Sequence, residues 1–181
     1  MIYIISGATF MFEPGQNRKI AALRTSECVC LFLLSGDKME NKYMLEAIKQ
    51  AKKAYIKGDV PVGAVIVLND KIIAKGYNKK EKNKNAIKHA EIIAIEKACK
   101  KLKTWHLEEC ELYTTLEPCL MCTGAIIQSR IKNIYYATDN PNFGELININ
   151  KQKKLNVNII SGMYREESSK MLKEFFVKKR K

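Results

Sequence analysis

The chain has 181 residues, enough for one domain with a buried core and too few for two comfortable ones. With 46% hydrophobic and 28% charged residues it has the profile of a soluble globular protein, and no run of about 18 apolar residues offers a membrane span. Its 32 Lys and Arg against 19 Asp and Glu leave a net charge of +13, which favours polyanions by counterion release but also suits a solvated lysine coat.

In chain order, residues 1–38 read as an extension. Phe12 to Asn17 is turn-like, and Cys28 to Leu34 is a short apolar patch without a partner pattern. Four bases (Arg18, Lys19, Arg24, Lys38) against three acids (Glu13, Glu27, Asp37) leave it nearly neutral, so the basic character belongs to residues 39–181. Met39, followed at once by a helical pattern, is expected to be the true start, with 1–38 a mis-assigned or disordered leader; N-terminal peptide mass spectrometry on the native protein tests this. The six cysteines come without a secretory leader, which places the chain in a reducing cytoplasm, where paired cysteines read as metal or redox sites.

Met44, Ile48, Ala51 and Tyr55 recur at helical spacing, with Gly58 where a C-cap belongs. Val62–Leu68 and Lys71–Tyr77, joined by Asn69-Asp70, form a hairpin. A polar loop from Asn78 to Lys88 leads into a helix from His89 to Lys101. Then come a strand at Glu111–Thr115, a helix at Cys119–Ser129, strands at Ile134–Ala137 and Val157–Ile160, and a last helix from Tyr164 to Lys179. The alternation argues for an α/β layered sandwich.

The chemistry concentrates at two helix starts, His89-Ala90-Glu91 and Pro118-Cys119-Leu120-Met121-Cys122. Cysteines at i and i+3 on a first helical turn share a side, and the helix dipole favours their thiolates. His89 completes three ligands, and three protein ligands rather than four mark a catalytic zinc. Glu91, two residues past His89, stays off the metal and suits a proton shuttle for a zinc-activated water. Cys28, Cys30, Cys99, Cys110 and His106 lack comparable pairing. The combined pattern is the H-x-E…P-C-x-x-C signature of zinc deaminases.

With their flanks, these motifs resemble the bacterial tRNA-specific adenosine deaminases. The likeness spans most of residues 39–181 and rests on Val60 to Val65, Gly76-Tyr77-Asn78, His89 to Ile95, Leu112 to Ile126, Ser129-Arg130-Ile131 and Phe175-Phe176. It implies a three-layer α-β-α sandwich of the cytidine deaminase-like type with a mixed sheet of about five strands. It implies hydrolytic conversion of adenosine to inosine at the wobble position of a tRNA anticodon loop, one Zn2+ per subunit, and a homodimer with its site near the interface. Asn78 is then expected to hydrogen-bond the flipped nucleotide, the backbone at Ala90 to face the base edge, Val62 to wall the pocket and Asp139 to face the neighbouring ribose. The residues alone leave other roles open: Asn78 as a strand end, Val62 as core, Asp139 as a turn residue.

Asn140-Pro141-Asn142-Phe143-Gly144-Glu145-Leu146 departs from the family pattern, which carries a basic residue and a small Gly/Ala cluster there, and the segment is shortened. Phe175-Phe176 with the basic end Lys178 to Lys181 suits either RNA stacking or a helix core. Two other functions compete: a deaminase of a free base or nucleotide (cytosine, guanine or deoxycytidylate), which needs no basic surface, and a non-catalytic zinc-binding accessory subunit, against which an intact Glu91 argues.

Overall fold

A computed structural model describes residues 2–5, 8–11, 41–153 and 156–180. The chain divides between Met39 and Glu40 into two units. In the first, β1 (Ile2–Ile5) and β2 (Ala8–Met11) pair antiparallel with Ile2 opposite Met11, a hairpin that the sequence reading did not anticipate. The turn-like stretch at 12–17 and the apolar patch at 28–34 lie outside the described residues.

The second unit opens on α1 (Lys42–Ile56), capped by Asn41, whose side chain accepts from the backbone N–H of Tyr43 and Met44. Gly58, at φ +77°, ends it in the left-handed conformation that glycine adopts without strain. The hairpin follows as β3 (Gly63–Leu68) and β4 (Lys71–Tyr77). Its two-residue turn has Asn69 and Asp70 at φ 48° and 58°, the mirror-type geometry that matches strand twist. Next come α2 (Ala90–Leu102), β5 (Glu111–Leu116), α3 (Leu120–Gln128) and β6 (Asn133–Thr138). A short α4 (Leu146–Lys153), β7 (Asn158–Ser161) and α5 (Arg165–Lys179) complete the chain.

The sheet order is β4-β3-β5-β6-β7. The first three strands pair antiparallel and the last three parallel, so the sheet is mixed, as expected. Alternation along β3 sends side chains to opposite faces. Val65 and Val67 pack with Tyr43, Met44, Ala47 and Ile48 of α1, joined by Met171 of α5. Ala64 and Ile66 pack with Ala90, Ala94 and Ala98 of α2, Ile126 of α3 and Leu146 of α4. Helices on both faces make the three layers. Among the described residues no helix is long and apolar enough to cross a membrane.

The sequence reading passed over α4 because Leu146-Ile147-Asn148-Ile149-Asn150 alternates apolar and polar, the period of a strand. Packing of buried Leu146 into the core overrides that local preference. Elsewhere the expected elements are present, with ends shifted by one or two residues.

One close approach fixes the helix that carries the first motif. A Cβ added at Gly76 would lie 2.1 Å from the carbonyl oxygen of Ala90, so β4 and the start of α2 touch backbone to backbone. Gly76→Ala must push α2 off the sheet and is expected to cost about 2 kcal/mol or more, in the range of overpacked cores. Urea unfolding reads this directly; an unchanged midpoint would contradict the contact.

Candidate active site

Two helix N-termini converge at the edge where β5 and β6 end. His89 is the N-cap of α2 and Cys119 the N-cap of α3, and neither side chain caps its own helix. Ser or Asp at these positions would turn back to bond the first turn; here the donors turn toward each other instead. Cys119 Sγ lies 3.6 Å and Cys122 Sγ 3.5 Å from His89 Nδ1. All three donor atoms fall within 4.8 Å of one another, forming a metal-capable cluster. A tetrahedral zinc with bonds of about 2.3 Å to sulfur and about 2.0 Å to nitrogen separates S from N by about 3.6 Å, so the donors fit that ion.

Electrostatics favours a thiolate among them. The Cys122 thiol bonds Cys119, and this, with the protonated imidazole beside it, holds Cys119 down at about 4, a thiolate at neutral pH. Cys122 is pushed far up by that same thiolate and by burial, so it keeps its proton. His89 is raised by its hydrogen bond to Cys119. Two helix N-termini add their positive ends to the site.

Glu91 stands in the first turn of α2, outside the donor cluster and 3% exposed. Its Oε2 is buried without a hydrogen-bond partner, and burial raises its pKa above the usual carboxylate range. An orphaned carboxylate oxygen next to a metal-capable cluster is costly for folding alone and suits a group that exchanges a proton with a substrate. His89, Glu91 and Cys119 line one cleft of about 850 Å³.

The remaining expected residues also reach this cleft. Val62, Asn78, Ala90 and Asp139 line it, with Leu116 on the wall. Asn78 is buried, donating from Nδ2 to Val60 O at 3.3 Å and accepting at Oδ1 from Lys80 N at 3.3 Å. One amide hydrogen and one lone pair of Asn78 remain. Asp139 is exposed and ion-paired with Arg165. The aromatic pair of α5 divides its roles: Phe175 is buried edge-on against Tyr55, whereas Phe176 is 46% exposed and borders the cleft. Cys99, Cys110 and His106 stand outside the cluster, His106 bonding Glu108 at 3.2 Å; Cys28 and Cys30 lie outside the described residues.

Sequence reasoning missed two organisers. Buried Glu117 accepts the backbone N–H of Asn140 at 3.2 Å, tying the loop after β6 to the loop that carries Cys119. Buried Asp59 accepts from the backbone N–H of Glu81 at 2.7 Å and of Lys82 at 3.3 Å, fixing the lysine-rich loop before His89. Glu117 adjoins Pro118 in sequence, which was its one available signal; Asp59 had none.

Three metal-capable donors, a carboxylate outside them and a roomy cleft on a three-layer sandwich fit a hydrolytic deaminase that would work through a metal. The MafB19-like deaminase family matches residues 38–180. A tRNA-specific adenosine deaminase of Bacillus subtilis is 45% identical over 144 residues, 77% of this chain and 89% of that protein. A solved structure from work on A-to-I editing by tRNA:A34 deaminases at the wobble position of transfer RNA matches with a TM-score of 0.70 and 33% identity, over 74% of this chain and 100% of that one. Guanine deaminase from Bacillus subtilis matches less extensively, with a TM-score of 0.53 and 40% identity over 55% of this chain and 64% of that one. The chain belongs to the tRNA-specific adenosine deaminases, within the MafB19-like deaminase family.

Because Cys119 is already a thiolate while Cys122 keeps its proton, a dication must displace that proton on binding. Zinc uptake at pH 7 is therefore expected to release about one proton, and zinc affinity to fall as pH is lowered. Calorimetry in buffers of different ionisation enthalpy measures the release; zinc binding without proton release would contradict the protonation pattern.

Proposed function

We propose that this enzyme converts adenosine to inosine at the wobble position of a tRNA anticodon loop, using one zinc ion per subunit on His89, Cys119 and Cys122 and Glu91 as the proton shuttle. The observation that carries the reaction is the orphaned Oε2 of Glu91, buried beside three metal donors and opening on the cleft. Zinc held by this donor set would supply a water acidified to near neutral pH. Glu91 would accept a proton from the attacking water as its oxygen bonds C6 and pass it to ring N1; it would then move the remaining hydroxyl proton to the exocyclic amine, so that the C6–N bond breaks and ammonia and inosine leave.

The cleft walls suit a flipped purine. Val62 and Leu116 offer apolar faces, Asn78 keeps one donor and one lone pair for the nucleotide, and the backbone at Ala90 meets the base edge. Asp139, which lines the cleft, is read as the residue that faces the adjoining ribose. An anticodon loop presents its bases unpaired, which lowers the cost of extrusion. The curated relative named for tRNA adenosine and the basic residues of the main unit support this substrate over a free base. The same reading makes the enzyme a cytoplasmic homodimer.

Two measurements test it together. Glu91→Gln is expected to retain zinc and lose deamination by about a hundredfold or more, the scale of a lost general base; wild-type rates in this variant would remove the shuttle. Wild-type protein is expected to form inosine in an anticodon stem-loop bearing a wobble adenosine and to leave free guanine, cytosine and deoxycytidylate unchanged. Turnover of a free base alone would replace the substrate by that base.

A further inference from the structure

The loop after β6 presents an aromatic ring, Phe143, that the proposed chemistry does not use. Phe143 is 71% exposed, more than Trp105 at 54% or Phe176 at 46%. A single exposed ring is ordinary on a protein surface, and what marks this one is its position. Phe143 also lines the cleft that holds His89, Glu91 and Cys119, so the ring is continuous with the reaction site.

The ring is mounted on a stiff loop. The Phe143 N–H donates to Asn140 Oδ1 at 3.2 Å, and the Gly144 N–H to Asn140 O at 2.8 Å. Gly144 pairs in a β-bridge with the metal donor Cys119, and the Glu145 N–H donates to Pro118 O at 3.2 Å. Any side chain at Gly144 would collide with the Glu117 carboxylate, whose Oε2 lies 2.1 Å from an added Cβ. The loop is thereby fastened to the loop that carries Cys119 by the hydrogen bond of that bridge and by the Asn140 N–H donated to Glu117 Oε2 at 3.2 Å, and Phe143 needs little further ordering to receive a ligand. Lys80, Lys173, Lys179 and Arg180 line the same cleft and suit a phosphate backbone passing through it.

We propose that Phe143 is a stacking platform for the base of a nucleotide adjacent to the reacting adenosine. This rests on the RNA reading above and deepens it: the cleft grips a single-stranded segment of more than one nucleotide, one base on the zinc site and a neighbour on the Phe143 ring. An exposed ring accepts any base face, so the platform adds affinity with little sequence preference.

The test uses full-length, zinc-loaded protein and an anticodon stem-loop with a wobble adenosine, intact or with an abasic site at the 5′ or the 3′ neighbour. Phe143→Ala is expected to lower kcat/KM on the intact RNA by about tenfold, mainly through KM, and Phe143→Tyr to restore it, the scale of one lost base stack. Removing one of the two neighbouring bases should cost wild type a similar factor, and that loss should not multiply with Phe143→Ala. Wild-type KM in Phe143→Ala, or losses that multiply at both positions, would overturn the platform alone. A change in subunit mass by light scattering with KM intact would make the ring a contact between copies and also overturn it. Failure of the wild-type enzyme to form inosine in any stem-loop would remove the RNA reading and the platform with it.

Discussion

Everything in this enzyme depends on two helix N-termini being brought to one edge of the sheet so that three donors stand at tetrahedral spacing. His89 and Cys119 occupy N-cap positions without capping, and Cys122 lies one turn in from Cys119. The helices forgo a side-chain cap worth about 1 kcal/mol each. In exchange, the positive helix ends stabilise a thiolate, and both sulfurs stand 3.5 to 3.6 Å from His89 Nδ1. The backbone contact of Gly76 with Ala90 sets where α2 begins, and the Glu117 carboxylate sets the loop next to Cys119. Both supports lie outside the cluster and hold it from opposite sides.

That arrangement keeps the carboxylate apart from the donors. Glu91 sits in the same first turn as His89's cap yet outside the donor cluster, so a metal held by the donors and the carboxylate would be neighbours rather than competitors. Glu91 Oε2 is buried without a hydrogen-bond partner. The cleft walls come from the ends of β4, β5 and β6, the usual place for ligands at the carboxyl ends of parallel strands. Loops complete the walls: the lysine-rich loop pinned by Asp59, and the Phe143 loop pinned by Glu117.

The donor cluster was legible in sequence because its signal is local: Cys-x-x-Cys on a helix start puts both sulfurs on one side within a single turn, and His-x-Glu on another sets the carboxylate away from the imidazole. The hairpin was legible because Asn69-Asp70 tolerates positive φ at both positions. Helix α4 was not, since its alternating Ile-Asn pattern carries the wrong period and only the burial of Leu146 decides it. The division of Phe175 from Phe176 needed the packing of α5 against Tyr55. Asp59 and Glu117 were invisible as organisers because a carboxylate that accepts backbone N–H groups twenty-odd residues away leaves no periodic mark. The hairpin of residues 2–11 shows no strong alternation and was likewise passed over.

The central claim is an open three-donor metal site, and X-ray absorption at the zinc edge on protein purified with its own metal tests it most directly. The expected shell has two sulfurs at about 2.3 Å and two lighter atoms at about 2.0 Å, one from His89 and one from water. A shell of three or four sulfurs, an all-oxygen shell or a protein without zinc would contradict it.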